Sequence, residues 1–343
     1  MIELKMDELI FTFPEIYSEA RLTISFQRTL RIPDDGKDYP LPPGLGSFPL
    51  KHVDDYMQSL PEKWKERGGV MLPMYQSEAM WIDFSSSHLY KHVAEYPFAV
   101  KIAAGKINAI TGEPWSNGLS RNPQDYLVIP SQPWLDGYCV EKGLIRQFVA
   151  MPLGEGYSAE EQINQIAEIG GLQIEVYPMK RKAFEKRWPI TRHPKAHYVC
   201  KREVMYSISP PPDMALAPGG RMRQEIYEDE FEMSEWDLNT SSRCFVHLTD
   251  SRVWKTITGK NPPTIPITAK QYSEHRLPWF EYYGGSRPLA GSKVLGKLQS
   301  VVDIAIRKGI STLQKNESLN QKNIFRIKKN RNSVQVREWK GRG

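Results

Sequence analysis

The chain has 343 residues, 40% of them apolar and 25% charged, an ordinary globular composition on a length that buries a core without metal or disulfide staples. Its formal charge of +6 is concentrated: residues 321–343 hold Lys322, Arg326, Lys328, Lys329, Arg331, Arg337, Lys340 and Arg342 against the single acid Glu338, so the rest of the chain is close to neutral. There is no run of about 18 apolar residues, as a membrane-spanning helix would need.

The first eleven residues carry acids and lack the apolar stretch of a signal peptide. Three widely spaced cysteines, Cys139, Cys200 and Cys244, argue against a disulfide framework, and a reducing cytoplasm is the expected location. The 26 prolines interrupt helices and central strands, so many short strands joined by ordered loops are expected.

In chain order, residues 21–32 alternate with Leu22, Ile24 and Phe26 on one face, a half-buried strand. Residues 33–50 read as a long loop. Residues 51–67 read as a helix ended by Gly68-Gly69. VMLPMY and SEAMWIDF read as strands. Residues 96–110 form a hairpin about Gly105, and residues 124–153 hold hairpins with turns at Asp136-Gly137 and Lys142-Gly143. Ser158 and Glu161 make a capping box ahead of a helix over 159–169, which Gly170-Gly171 stops. LQIEVY is a strand, the charged stretch 178–197 is a candidate break, and 198–208 supplies another strand. SPPPDMALAPGGRMRQEIYED reads as a loop leading into a strand or helix. Residues 243–248 form a strand, Asp250 caps a helix ended by Gly259, and Thr268 caps another. Val294, Leu298, Val301, Val302, Ala305 and Ile306 form the buried stripe of one amphipathic helix over 293–308.

The segments PQDYLVIPSQPWLDGYCVEKGLIRQFVAMPLGEGYSAEEQ, GGLQIEVYPMK, APGGRMRQEIYED and RLPWFEYYGG resemble a widespread set of uncharacterised microbial proteins, over about residues 20–300. The resemblance implies no activity and no catalytic residue, and the basic tail lies outside it.

No P-loop, nucleophile elbow, dinucleotide fingerprint, H-E-x-x-H or paired C-x-x-C occurs. His88/His92 and His193/His197 have helical i, i+4 spacing, but neither pair has an acid or cysteine to complete a tetrahedral metal site, and solvent-facing imidazoles are expected. Gly219-Gly220-Arg221-Met222-Arg223 offers exposed amides and forked donors suited to carboxylate or phosphate, with pairing to local acids as the bland alternative. Trp134, Asp136, Arg146 and Gln147 in one hairpin region, and Trp279, Glu281, Tyr282 and Tyr283 in a late loop, combine ring faces with fixed polar groups, as sugar, peptide or base pockets do. Packing is the competing role for Trp134 and Trp279, a plain turn for Asp136. Asp136 and Glu281 would form a glycosidase pair only if the fold joined them. Cys139 falls in a strand and reads as an inert buried thiol. The tail interleaves basic residues with Phe325, Val334, Val336 and Trp339. That pattern suits nucleic acid or an anionic surface, a solvated terminus, or a strand in SVQVREW.

The expected fold is mainly β, with sandwich-like antiparallel sheets, a few short helices and the amphipathic helix near 293–308. The expected organisation is a body over 1–320, with a sub-boundary near 178–197, and a basic tail over 321–343. The expected function is non-enzymatic: a β-rich binding or self-assembling protein whose partner is a protein or small anionic ligand, with no cofactor and no metal. Homo-oligomerisation is compatible with this reading. The alternative is an enzyme of unfamiliar class that holds an anionic substrate with Arg146, Arg221 and Arg223. The candidate binding residues are Trp134, Asp136, Arg146, Gln147, Gly219, Gly220, Arg221, Arg223, Trp279, Glu281 and Tyr283.

Overall fold

The computed structural model describes residues 1–166, 168–190, 213–275, 277–283, 286–310 and 324–328. The chain opens with a meander of β1 (Ile2–Lys5), β2 (Glu8–Thr12) and β3 (Arg21–Thr29), followed by the short strands β4 (Asp38–Tyr39), β5 (Gly44–Ser47) and β6 (Lys51–His52). After α1 (Glu62–Arg67) come β7 (Val70–Met74), β8 (Ala79–Ser86), the small ladder β9 (His88–Leu89) and β10 (Ala94–Glu95), then β11 (Phe98–Ala104), β12 (Ile107–Asn108) and β13 (Leu127–Ile129). Next are β14 (Trp134–Leu135), β15 (Gly137–Glu141), β16 (Leu144–Pro152), α2 (Ala159–Asn164), β17 (Leu172–Pro178) and α3 (Arg181–Arg187). The described chain closes with β18 (Asp213–Arg223), β19 (Ser242–Asp250), α4 (Ser251–Thr258), α5 (Ala269–Glu274), β20 (Trp279–Tyr283), α6 (Val301–Arg307) and β21 (Ile324–Lys328).

The fold is mainly β. Seventeen strands of the described residues join in one hydrogen-bonded sheet, mostly antiparallel. The meander hands on from β3 to β8, β8 to β16, β16 to β18, β18 to β19, β19 to β17 and β17 to β11. β4 and β7 add parallel to β18 and β19. β16 with β18, and β17 with β19, pair across the candidate boundary at 178–197, so both sides of it share this sheet.

A single apolar cluster takes Phe11, Leu22 and Ile24 from one flank of the sheet and Val100, Ile102 and Ile174 from the other; Phe13 meets Phe98 at 5.9 Å between ring centroids. Strand alternation puts neighbouring residues on the opposite face. There Ala79, Val149, Met151 and Ala217 lie under Val301 and Ile304 of α6, and Met71 lies with Trp64 of α1 and Trp254 of α4. Helices α1, α4 and α6 therefore cover outer faces that the main core leaves open.

Several local expectations hold because their signals are local. The Ser158–Glu161 capping box starts α2, Asp250 caps α4 before Gly259, and Thr268 caps α5. Others are corrected. The helix expected over 51–67 is a short strand, a 3-10 turn at Asp54–Tyr56 and α1 alone. The helix expected over 293–308 is two pieces, a 3-10 turn at Leu295–Lys297 and α6, because Ser300 caps α6 through Asp303 while Leu298 is extended. Leu298, Val301, Val302 and Ala305 are buried as their spacing indicates, but Val294 and Ile306 are exposed. Asp136-Gly137 is not a hairpin turn; Asp136 is a buried residue between β14 and β15, and the turn is at Lys142-Gly143. APGGRMR lies within β18 rather than in a loop. In the tail, Ile324–Lys328 pairs parallel to β20; SVQVREW and the strand expected over 198–208 lie outside the described residues.

Candidate functional site

The Gly-Gly-Arg segment is built for the sheet. Between Arg146 and Phe148 the β16–β18 register shifts, so Gln147 faces Gly219 and Gly220 together, a β-bulge. A Cβ on Gly220 would stand 2.4 Å from the Pro33 carbonyl oxygen, and one on Gly219 would stand 2.5 Å from Val149 Cγ2. Gly220 serves the close approach of residues 32–33 and Gly219 that of β16. Gln147 is fully buried: its Nε2 donates to the Leu30 carbonyl at 2.9 Å and its Oε1 accepts from the Ile32 amide at 2.8 Å, stapling the same segment.

The three arginines do not converge. Arg146 faces Asp34 at 3.5 Å and donates to the Gly219 carbonyl at 3.2 Å. Arg221 bridges Asp38 at 2.7 Å and Glu141 at 3.4 Å. Arg223 meets Glu281 at 3.2 Å. These acids come from three separate segments, so sequence adjacency could not reveal the pairing. Asp136 and Glu281 do not form a carboxylate pair: Glu281 is taken by Arg223, and Asp136 is engaged by Gln224.

Asp136 is enclosed. Its amide donates to Gln224 Oε1 at 3.0 Å, and Gln224 Nε2 donates to its Oδ2 at 2.8 Å. Burial pushes its carboxyl up to about 7 against the opposing pull of hydrogen bonds from Gln224 and the Trp134 side chain. Trp134 is half-buried and stands 4.7 Å from Tyr282 and 6.3 Å from Trp81, ring centre to ring centre. Trp279, by contrast, is a core residue packed on Tyr39 and Tyr272. Tyr283 ends β20.

Trp81, Trp134 and Tyr282 are all half-buried. Trp81 and Asp83 are the outward residues of β8, two and four positions beyond the Ala79 that lies under α6. The register sets Gln27 beside Trp81, and sets Asp83 between Ser25 and Trp134. Gln27 Nε2 donates to Ser25 Oγ and to Ser47 Oγ, each at 2.9 Å. Burial, and then the neighbouring Glu8 carboxylate, push Asp83 up to about 6. Trp81, Asp83 and Gln27 were missed in the sequence. Their signal is the outward phase of alternating strands, but only the β3–β8–β14 pairing brings them beside Trp134.

Two other polar clusters are structural. Lys101 is buried with Asp125 at 2.6 Å and donates to the carbonyls of Ser116 and Gly118, each at 2.8 Å. His92, expected to face solvent, is buried: Nδ1–H donates to the Trp188 carbonyl, which leaves Nε2 to accept from the Tyr17 hydroxyl at 2.8 Å. His193 and His197 lie outside the described residues. Among the described residues no three His, Cys, Asp or Glu side chains are grouped to hold a metal ion, and no helix is long and apolar enough to cross a membrane. Cys139 is buried in β15, and burial pushes its thiol up to about 12. No protein-family model, curated protein or solved structure matches the chain.

Proposed function

We propose that this chain is a binding protein without chemistry of its own, and that it recognises the sugar rings of a glycan chain on the outer face of β3, β8 and β14. One observation carries the reading: Trp81, Trp134 and Tyr282 form a half-exposed row of rings beside the hydroxyl, amide and carboxyl groups of Ser25, Ser47, Gln27 and Asp83. Ring faces stack on the apolar faces of sugars, and the flanking groups match their hydroxyls. Preformed rings also lose little entropy on binding.

The enzyme reading loses support because Arg146, Arg221 and Arg223 already answer acids, which leaves an anionic substrate no convergent arginine clamp there. A cytoplasmic location, assembly of the chain with itself and the kinship with uncharacterised microbial proteins are parts of the same proposal. They rest on the cysteine count, the sheet-rich fold and the segments quoted above.

Affinity electrophoresis through gels holding soluble neutral polysaccharides tests the reading. The native chain is expected to be retarded in at least one. Trp134→Ala and Trp81→Ala are expected to abolish the retardation while the melting temperature moves little, because both rings are partly exposed. Free migration of the native chain through a broad polysaccharide panel, or retardation that survives both substitutions, overturns it. A protein partner displaced by Trp134→Ala would reassign this face from glycan to polypeptide.

A further inference from the structure

A second concavity lies at the end of β3, and its chemistry differs from that of the aromatic face. It is a cavity of about 530 Å³ between the end of β3, the β7–β8 turn and the segment 265–270 that leads into α5. That size lies within the range of small-molecule pockets, roughly 300–1,000 Å³. Leu30, Ala79, Ile265, Pro266 and Ile267 supply apolar wall. Ile265 is 78% exposed, a large apolar side chain held at the mouth.

The charges are lopsided. The single acid among the lining residues is Glu78, and it is spent: Arg28 Nε donates to its Oε1 at 2.7 Å, and the Tyr75 amide donates to its Oε2 at 2.9 Å. Three cations line the same space, Arg31, Arg252 and Lys270. Arg252 is held by both oxygens of Asp250, at 2.9 and 3.0 Å from its Nε, and Lys270 lies 4.0 Å from Glu274. Arg31 stands apart. Its Nε is buried, and among the described residues its side chain makes no hydrogen bond. Burying a guanidinium donor without an acceptor is unfavourable, and Asp34 answers the charge only through space. Arg31 lines the cavity, and an anion bound there would answer its charge.

The wall is in place before any ligand arrives. Arg28 donates to Thr264 Oγ1 at 3.3 Å and also to the Thr264 carbonyl, and the Tyr75 hydroxyl donates to the Pro263 carbonyl at 3.0 Å. The guanidinium that neutralises the floor acid thus also fixes the segment opposite.

We propose that this cavity binds a small amphipathic anion, its carboxylate or phosphate head on Arg31 and its apolar body against Leu30, Ile265 and Ile267. The site is independent of the aromatic face and of the ligand proposed there.

Isothermal titration of the full chain tests it with four probes: decanoate, decyl phosphate, decanol and inorganic phosphate. Decanoate and decyl phosphate are expected to bind at least tenfold more tightly than decanol, which lacks the charge, and than inorganic phosphate, which lacks the chain. Arg31→Met is expected to bring both anions down to the level of decanol, and Arg31→Lys to keep part of the preference. Ile265→Glu, at an exposed position that folding does not depend on, is expected to weaken both anions at least tenfold and serves if Arg31→Met does not fold. The proposal is overturned if neither amphiphile binds, if decanol binds as tightly as decanoate, if inorganic phosphate binds as tightly as decyl phosphate, or if the anions bind Arg31→Met or Ile265→Glu unchanged.

Discussion

The polar residues around the β16–β18 bulge and those around the 530 Å³ cavity both lean on the end of β3, yet they are finished differently. At the bulge, Gln147 takes up the Leu30 carbonyl and the Ile32 amide, and Asp136 and Gln224 exchange hydrogen bonds with each other. At the cavity, Arg28 and Glu78 are matched with the same care, while Arg31, one residue before Ile32, is left with a buried donor. Buried polar groups that only hold a fold together are normally satisfied within it. The matched groups at the bulge therefore mark architecture, and what sets Arg31 apart from other buried atoms without a hydrogen bond is its place in the wall of a cavity of ligand size.

That contrast can be broken by experiment, beginning with Asp136. Its folded carboxyl is raised from an ordinary 3.8 to about 7, so the folded chain keeps a proton that the unfolded chain releases. Its contribution to stability is therefore fully present below pH 4 and is lost as pH rises to about 7, a loss on the order of 4 kcal/mol at 1.36 kcal/mol per pH unit. Asp136→Asn should remove this slope, read as the difference between urea denaturation of the two proteins across pH 4–8. Equal slopes would mean that Asp136 is not the enclosed group described here.

Gln147→Leu comes next. It leaves the Leu30 carbonyl and the Ile32 amide unpaired in the interior and should lower stability by about 2–5 kcal/mol in chemical denaturation. A loss under about 1 kcal/mol would show that residues 30–32 are held by other contacts. The smallest effect belongs to Arg221→Ala, whose partners are partly exposed: Asp38 retains 43% of its side-chain surface and Glu141 60%. Thermal denaturation should register less than about 1 kcal/mol, as for surface ion pairs. A larger loss would make Arg221 part of the bulge rather than its rim.

The candidate site was legible only in part. Trp134 was visible because a tryptophan beside turn residues in a β-rich chain stands out, and its half-exposure suits recognition. Its companions were not, since Trp81 reaches it only through the pairing of β8 with β14. The arginines drew notice as local forked donors, but their acids lie elsewhere in the chain, Asp38 being 183 residues from Arg221. Arg31 drew none, because its isolation depends on what fails to reach it.

The sequence by itself determined the elements whose causes lie within a few residues. Alternation made β3, the Lys142-Gly143 turn made the β15–β16 hairpin, and side-chain caps at Ser158, Asp250 and Thr268 started α2, α4 and α5. It also placed Leu298, Val301, Val302 and Ala305 on a buried stripe, though not the break that Ser300 imposes before α6. Only the tertiary structure decided which polar groups are answered. A carboxylate or guanidinium finds its partner through strand register and chain reversal, as Arg28 does with Glu78 across 50 residues and with Thr264 across 236. Coulomb and hydrogen-bond energies depend on distance in space and on exclusion of water, and neither is encoded in the spacing of residues along the chain.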